Sequence, residues 1–396
     1  MRWRPRVSVA PTLEGWGVAF IACCLLGSSF IQRVNLLVLV FGLLVAVLLV
    51  GMFVARRNLR RLQARRLPPH QSFAGSPLDV AIEVSNRGTK DSYAAIVEDV
   101  VDLPEVSSKE VLFARVPKGG AAKSKYTLTP ERRGRLTLGP LTLLTRFPFG
   151  LFTARTTIDS TAEVVVVPTL GEMTDAWRRS TGRSSDAAKN LRPSVERMQE
   201  EFHGLRDYRD GDNVRHIHWL STARRGQLVV KEFETLSARD IVLIVDPQPA
   251  TEGADWDEHT ERALSFAATA CVDLGVRIGA LGGKIVMVLA GPEPNVVHGQ
   301  ASPRLVEAAL RALGLADYSA PGDWRVALDQ LGPNQCRNAQ AWFVGTRPMD
   351  DVRREYGVRF GFRSAATAVC VNIAAGEDQP YFRMAKGNPR SSNEPA

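Results

Sequence analysis

The run Leu36-Leu-Val-Leu-Val-Phe-Gly-Leu-Leu-Val-Ala-Val-Leu-Leu-Val-Gly-Met-Phe-Val54 contains no charged residue. A helix rises about 1.5 Å per residue, so roughly 20 apolar residues cross the hydrocarbon core of a bilayer. This run has that length. The segment before it, Trp16 to Ile31, is apolar apart from Gly27-Ser-Ser29, and it reaches spanning length once Leu13 and its neighbours are included. Only Gln32-Arg-Val-Asn35 separates the two. So short a link makes the helices antiparallel neighbours whose outer ends share one side. The reading is a two-helix transmembrane hairpin. A soluble core hairpin does not suit an uncharged run bounded by arginine clusters. A secretory signal fits Arg2 to Arg6 and Trp16 to Leu26, yet no Ala-x-Ala-like cleavage site precedes the second run.

The charge follows the hairpin. The formal net charge is +8, which invites a nucleic-acid reading. Residues 1–66 hold ten arginines and one acid, Glu14, a net of +9, and the other 330 residues hold 40 Lys+Arg against 41 Asp+Glu, a net of −1. The body is therefore nearly neutral, and its field gives no ground for a nucleic-acid partner. The outer flanks carry Arg2, Arg4, Arg6, Arg56, Arg57, Arg60, Arg61, Arg65 and Arg66, and the link carries Arg33 alone. The positive-inside rule then predicts a multi-pass protein of the inner (plasma) membrane with its bulk in the cytoplasm. The lipid bilayer is the first expected partner, each basic residue near its anionic surface adding about 1 kcal/mol.

Five cysteines, Cys23, Cys24, Cys271, Cys336 and Cys370, show no CxxC spacing. They suggest neither a zinc site nor a disulfide framework, and they fit a reducing compartment. Cys271 falls in an apolar helical stretch, where an inert buried thiol is expected.

From Leu67 the pattern changes to alternation. Leu78-Asp-Val-Ala-Ile-Glu-Val84 is a half-buried strand. Ala94 to Val101, Val111 to Val116, Lys125 to Leu128, Arg135 to Leu138 and Glu163 to Val167 are further strand candidates, separated at Asn86-Arg-Gly88, Lys118-Gly-Gly120 and Pro130 to Gly134 by turn residues. Several short strands of this kind predict an all-β, immunoglobulin-like sandwich over 67–168. Arg146-Phe-Pro-Phe-Gly-Leu-Phe152 reads as turn chemistry with core aromatics; a peptide groove lined by Phe147, Phe149 and Phe152 is the weaker alternative.

Residues 169–237 form a linker and a motif segment, densest from Phe202 to Phe233. Asp210-Gly211 makes a tight turn and Asp212 a helix N-cap. Val214, Ile217 and Ser221 fall at helical spacing, Gly226 stops the helix, and Gln227 to Glu234 reads as a strand. Arg206, Tyr208, Gly211, Asp212, Arg215, Trp219, Arg224 and Lys231 are the candidate site residues. Planar guanidinium groups hold carboxylates bidentately, so Arg206, Arg215 and Arg224 could share Asp212 and Glu232 in a structural network. The same groups could form an anion pocket or a partner face, since Arg and Trp anchor interfaces. His216 and His218 stand two residues apart, on different faces of a helix, which argues against a metal pair. No nucleophile–base motif, phosphate loop or HExxH occurs, and the chain is not expected to be an enzyme.

The run Phe202, Gly204-Leu-Arg206, Tyr208, Gly211-Asp212, Arg215, Ile217-His-Trp219, Thr222-Ala-Arg224, Gly226, Leu228 and Val230-Lys-Glu-Phe233 resembles the hallmark of the domain of unknown function 58 family. Arg133-Gly134, Gly139-Pro140, Pro148 to Phe152 and the N-terminal hairpin are similar to that family too. The resemblance implies a von Willebrand factor A-like domain after the motif, and association with MoxR-type AAA ATPases and transglutaminase-like membrane proteins. It supplies no catalytic residues.

Over 238–376, Asp240 to Asp246 is a fully apolar strand ending in an acid, and His259 to Gly275 is an amphipathic helix. Lys284 to Ala290, Val296 to His298, Ala341 to Gly345 and Ala368 to Ile373 read as strands, Ser302 to Leu313 and Asp323 to Leu331 as helices. Alternation of this kind predicts an α/β domain with a mainly parallel, Rossmann-like sheet covered on both faces. The implied von Willebrand factor A-like fold often holds a divalent ion through Asp-x-Ser-x-Ser. Here Asp246-Pro-Gln-Pro-Ala250 keeps only Asp246, so no metal and no cofactor is expected. The polar stretch 377–396 is expected to be a disordered tail. The functional expectation is a membrane-anchored cytoplasmic adaptor or scaffold that docks a protein partner. The alternative is a sensor or enzyme that binds an anion or small ligand through the arginine-rich motif.

Overall fold

The structure is a computed structural model that describes residues 7–32, 35–67, 71–103, 106–181, 200–209, 214–235, 240–248, 258–317, 324–332, 339–361 and 368–384. It divides into two units, Met1–Val167 and Pro168–Ala396.

In the first unit, β1 (Ser8–Pro11) leads into helices α1 (Leu13–Gln32) and α2 (Asn35–Leu59). Both are long and apolar enough to cross a membrane. They leave Phe20, Phe30, Leu39, Leu43, Val50 and Phe53 exposed, as helices that meet a membrane or a partner do. There follow β2 (Leu62–Leu67), β3 (Ser72–Phe73), β4 (Leu78–Asn86), β5 (Ser92–Leu103), β6 (Val106–Val116), β7 (Ala121–Leu128), β8 (Gly134–Thr145), β9 (Phe152–Ile158) and β10 (Ala162–Val167). Among the described residues, β2, β4 and β7 form one antiparallel sheet and the remaining strands another, with β8 pairing β5, β9 and β10. Alternation decides which side chains meet. On β4, Leu78, Val80, Ile82 and Val84 point inward, where they share a core with Val97, Phe113, Leu136, Leu143 and Val164 of the other sheet. Each such side chain contributes about 1.5–3 kcal/mol by leaving water.

The hairpin is built into this β-domain. β1 pairs with β9, and β2 pairs with β4, so the helices enter and leave through strands of the two sheets. Ala55 and Leu59, at the end of α2, belong to the β-domain core. The turn before β9 receives both helices: Thr12 N–H donates to Leu151 O at 3.0 Å, and the Thr12 hydroxyl to Gly150 O at 2.8 Å. A Cβ at Gly15 would lie 2.1 Å from Leu151 O, so only glycine allows this approach. Gly51 faces the rings of Phe149 and Phe152. The aromatics of Arg146 to Phe152 thus serve as helix seating, with Phe147 beside Tyr93 at 5.6 Å. This revises the expectation that 1–66 is only a hairpin with basic flanks. Arg66 is one reason: its side chain is 2% exposed and pairs with Asp99 of β5, 0% exposed. It also donates to Ser160 O at 2.7 Å and to Gly139 O at 2.8 Å, while the Tyr126 hydroxyl donates to the same carboxylate at 2.5 Å. Burial first, and the bond to Asp99 second, push the Tyr126 pKa far above its ordinary value. Arg65 pairs with Glu83. Neither arginine is a free lipid-facing charge.

In the second unit, β14 (Ile241–Asp246), β15 (Lys284–Leu289), β16 (Asn295–Gln300), β17 (Gln340–Gly345) and β18 (Val369–Asn372) form a sheet ordered β16-β15-β14-β17-β18. All neighbours are parallel except β16, an antiparallel edge. β14 and β17 are buried throughout, as strands covered on both faces must be. Helix α5 (Glu258–Arg277) buries Ala263, Ala267, Ala270, Cys271 and Leu274 at helical spacing. Helix α6 (Pro303–Gly314) is capped by Ser302, whose hydroxyl accepts from Leu305 N–H at 3.3 Å. Helices α7 (Trp324–Asp329) and α8 (Asp350–Phe360) put Ala327, Leu328, Val352 and Tyr356 on the face that carries Val242 and Ile244. These elements match the expected α/β alternation.

Two boundaries move. The expected linker begins as part of the α/β body: β11 (Glu172–Met173) and α3 (Asp175–Thr181) pack there, with Trp177 fully buried against Phe266 and Trp342. Trp177 Nε1 donates to Asp273 at 2.8 Å, and Gly171 N–H to the Thr269 hydroxyl at 2.9 Å. The expected disordered tail is ordered to residue 384. β19 (Phe382–Arg383) pairs antiparallel with β11, Asp378 pairs with Arg262 at 2.6 Å, and Tyr381 meets the Trp342 ring. Apolar burial of Phe382 outweighs the polar composition around it. Residues 385–396 lie outside the described residues.

Candidate functional site

The motif is a hairpin. β12 (Glu200–Asp207) and β13 (Val229–Thr235) pair antiparallel, with Arg206 opposite Val230 and Leu205 opposite Lys231. Between them come a 3-10 turn, Val214–His216, and helix α4 (Trp219–Arg225). The helix begins later than Asp212 would start it. His218 is its N-cap, its Nδ1 accepting from Ser221 N–H at 3.3 Å and lying 2.8 Å from the Ser221 hydroxyl. Gly226 ends it at φ +69°, the left-handed conformation expected of a glycine stop. His218 N–H donates to Val229 O at 2.8 Å, Val229 N–H to the Thr222 hydroxyl at 3.1 Å, and Tyr208 N–H to Leu228 O at 2.9 Å. Buried Ile217 bridges to Val230. Backbone bonds thus hold α4 against the hairpin base and turn its other side outward.

The segment is rich in exposed apolar and basic side chains. Trp219 is 64% exposed, and Val214, Leu220 and Leu228 are exposed too, as are Arg224 and Arg225. Arg206 is half-buried and donates to Asp207 O at 3.2 Å. Gly211 and Asp212 lie outside the described residues, as do the side chains of Arg215 and Lys231. Among the described residues Arg224 makes no hydrogen bond or ion pair; the carboxylates of the expected ion network, Asp212 and the side chain of Glu232, lie outside the described residues. Sequence reasoning singled out Trp219 as a site residue, read Val214 only for its helical spacing and Leu228 only as part of the family motif, and overlooked Leu220, although four large apolar residues in a polar turn segment are a readable signal.

At the C-terminal end of β14, Asp246 is buried and paired with Arg347 at 2.9 Å. Its other oxygen accepts from Gln248 N–H at 3.2 Å, and the Thr346 hydroxyl donates to Gln248 O. A divalent ion needs several oxygen ligands. Here one carboxylate is neutralised by a guanidinium, and an amide replaces the first hydroxyl, so these residues do not fit a metal; Ala250 lies outside the described residues. Among the described residues no group of three His, Cys, Asp or Glu side chains converges. Sequence reasoning took Gln248 only as a replaced hydroxyl and missed Arg347; Gln248 meets Thr346, and Asp246 meets Arg347, across 98 residues or more. Cys271 is fully buried, which pushes its thiol up to about 12 and leaves it protonated and inert.

No curated protein matches this sequence. Among solved structures, the solution structure of the CARDB domain of a Pyrococcus furiosus protein is 11% identical, over 27% of this chain and 94% of that one, at a TM-score of 0.20. The crystal structure of the same domain in complex with di-metal ions is 13% identical, over 27% and 87%, at 0.21. Listeria innocua β-glucosidase crystallised with glucose is 14% identical, over 26% and 16%, at 0.18. Scores this low carry no argument about fold or activity. A family profile described as "Protein of unknown function DUF58" matches residues 204–375, which span the motif hairpin and the parallel sheet. By that match residues 204–375 carry a DUF58 domain.

Proposed function

We propose that this protein is a membrane-anchored adaptor whose motif hairpin docks a protein partner at the cytoplasmic face of the inner membrane. The observation that carries the reading is the exposure of Val214, Trp219, Leu220, Leu228, Arg224 and Arg225 within one short segment held on a hydrogen-bonded base. Rigid apolar and arginine anchors of this kind dominate protein interfaces. The first candidate partner is a MoxR-type AAA ATPase, with a transglutaminase-like membrane protein second. Two finer readings go with it. The β-domain is immunoglobulin-like, supported by two sheets around one core, antiparallel throughout except where β3 joins β10. The second unit is von Willebrand factor A-like, supported by a doubly wound sheet whose edge strand β16 is antiparallel.

Docking is tested by retention of the MoxR-type ATPase of the same organism on the full chain in detergent. Trp219→Ser with Leu220→Ser lowers retention about thirtyfold or more, as loss of a hot spot does. Equal retention by the double variant removes the reading. Membrane orientation is tested separately. β1 and β9 pair, so both ends of the hairpin lie on one side of any bilayer the helices cross. The exposed Arg56, Arg57 and Arg60 favour the cytoplasm as that side. A reporter fused after Ala396 is expected to be active only when it is of the cytoplasmic type.

A further inference from the structure

We propose that the corner where β14 and β17 end is a metal-independent site for an oxyanion, either a carboxylate on a partner's acidic peptide or a free phosphate. The sheet order supplies the location. From β14 the chain runs to β15 and β16 on one side, then returns to β17 and β18 on the other. Connections that leave adjacent strand ends in opposite directions open a crevice, and open α/β sheets bind ligands there. Asp246 and Gly345 stand side by side at this end in register.

The side chains supply the chemistry. Arg347 gives Asp246 one of its five N–H donors and stays 46% exposed. Gln248 is 7% exposed, and its side-chain Nε2 has no hydrogen-bond partner. A buried amide without an acceptor is disfavoured, and such groups in folded proteins mark a role. The unmet Gln248 amide and the exposed part of the Arg347 guanidinium are both donors, so a ligand here is an acceptor. A planar guanidinium fork matches a carboxylate or phosphate. Asp246 acts as a positioning residue: one oxygen fixes Arg347 and the other the Gln248 backbone. Arg347 offsets the Asp246 charge and keeps N–H donors to spare, so an acceptor is held here by hydrogen bonds and needs no ion. The site lies on different elements from the motif hairpin, and it rests on the docking reading only if a peptide is the source.

The test uses the full chain in phosphatidylcholine nanodiscs with EDTA present. The probes are a fluorescein-labelled tetraglutamate peptide, read by anisotropy, and inorganic phosphate, read by calorimetry. At least one probe is expected to bind. Arg347→Gln weakens it about tenfold, and Gln248→Leu weakens it severalfold. Arg347→Lys keeps the charge opposite Asp246, so it folds, but it lacks the fork and restores only part of the affinity. Peptide binding names a peptide-borne source and phosphate binding a free one; both support the site. Absence of binding by both probes overturns it. So does binding lost in EDTA, or binding indifferent to Arg347→Gln. Peptide binding lost only in Trp219→Ser also overturns it, and leaves the docking role of the hairpin standing.

Discussion

Asp99→Ala destabilises the β-domain by about 3–5 kcal/mol, because it strands the Arg66 guanidinium in the core. Four bonds of that group end on Asp99, Ser160 O and Gly139 O, and the guanidinium is itself 2% exposed. The pair also joins the sheets. Arg66 sits on β2 and Tyr126 on β7 of one, and Asp99 on β5 of the other. The measurement is hydrogen-exchange protection across β2, β5 and β8 of the full chain in detergent. Exchange reads each region separately, which a global melt of a two-unit chain does not. The double replacement Arg66→Met with Asp99→Leu recovers most of the loss, since buried ion pairs exchange for apolar groups at little net cost. Unchanged protection in Asp99→Ala would mean that water reaches the pair.

Trp177→Ala costs the α/β unit a similar amount, about 3–5 kcal/mol. The indole meets Phe266 edge-on at 5.6 Å and Trp342 at 4.4 Å, so its removal opens a cavity between α3, α5 and β17. Trp177→Phe keeps most of the apolar bulk and loses the bond to Asp273. That carboxylate still pairs with Arg277 at 2.7 Å, so the milder variant costs about 1–2 kcal/mol. Faster exchange in α5 and β17 is the expected reading. If Trp177→Ala left both unchanged, residues 172–181 would be a tether with no part in the core.

These two sites mark the limits of what local sequence conveys. Periodicity exposed β4, β14, β17 and α5, because their buried positions are apolar and evenly spaced. β2 obeys the same alternation, with Leu62, Ala64 and Arg66 inward. Its third inward residue is an arginine, which local pattern reads as surface, and the compensating Asp99 lies 33 residues on. β11 and β19 are two residues each and pair across the whole second unit, beyond any window of periodicity. In the candidate site, the Gly226 stop and the β13 strand were readable from turn chemistry. The His218 cap was not, since histidine is an uncommon N-cap. The Asp246 corner was half legible: the missing hydroxyls stand in the sequence, while the guanidinium that faces the carboxylate comes from residue 347.

The entry of the helices through β1 has a consequence for biosynthesis. Ser8–Pro11 is made before either helix, yet its partner Phe152–Arg155 follows about 140 residues later. At 5–20 residues per second that is an interval of roughly 7–30 s. The first strand waits unpaired while the hairpin is already complete, and the sandwich closes only when β9 arrives. β9 has β8 on one side and β1 on the other. A chain clipped before Thr12 therefore keeps both helices but presents a bare strand edge, open to pairing with another copy. Ser8–Pro11 acts as a seal on the nascent β-domain.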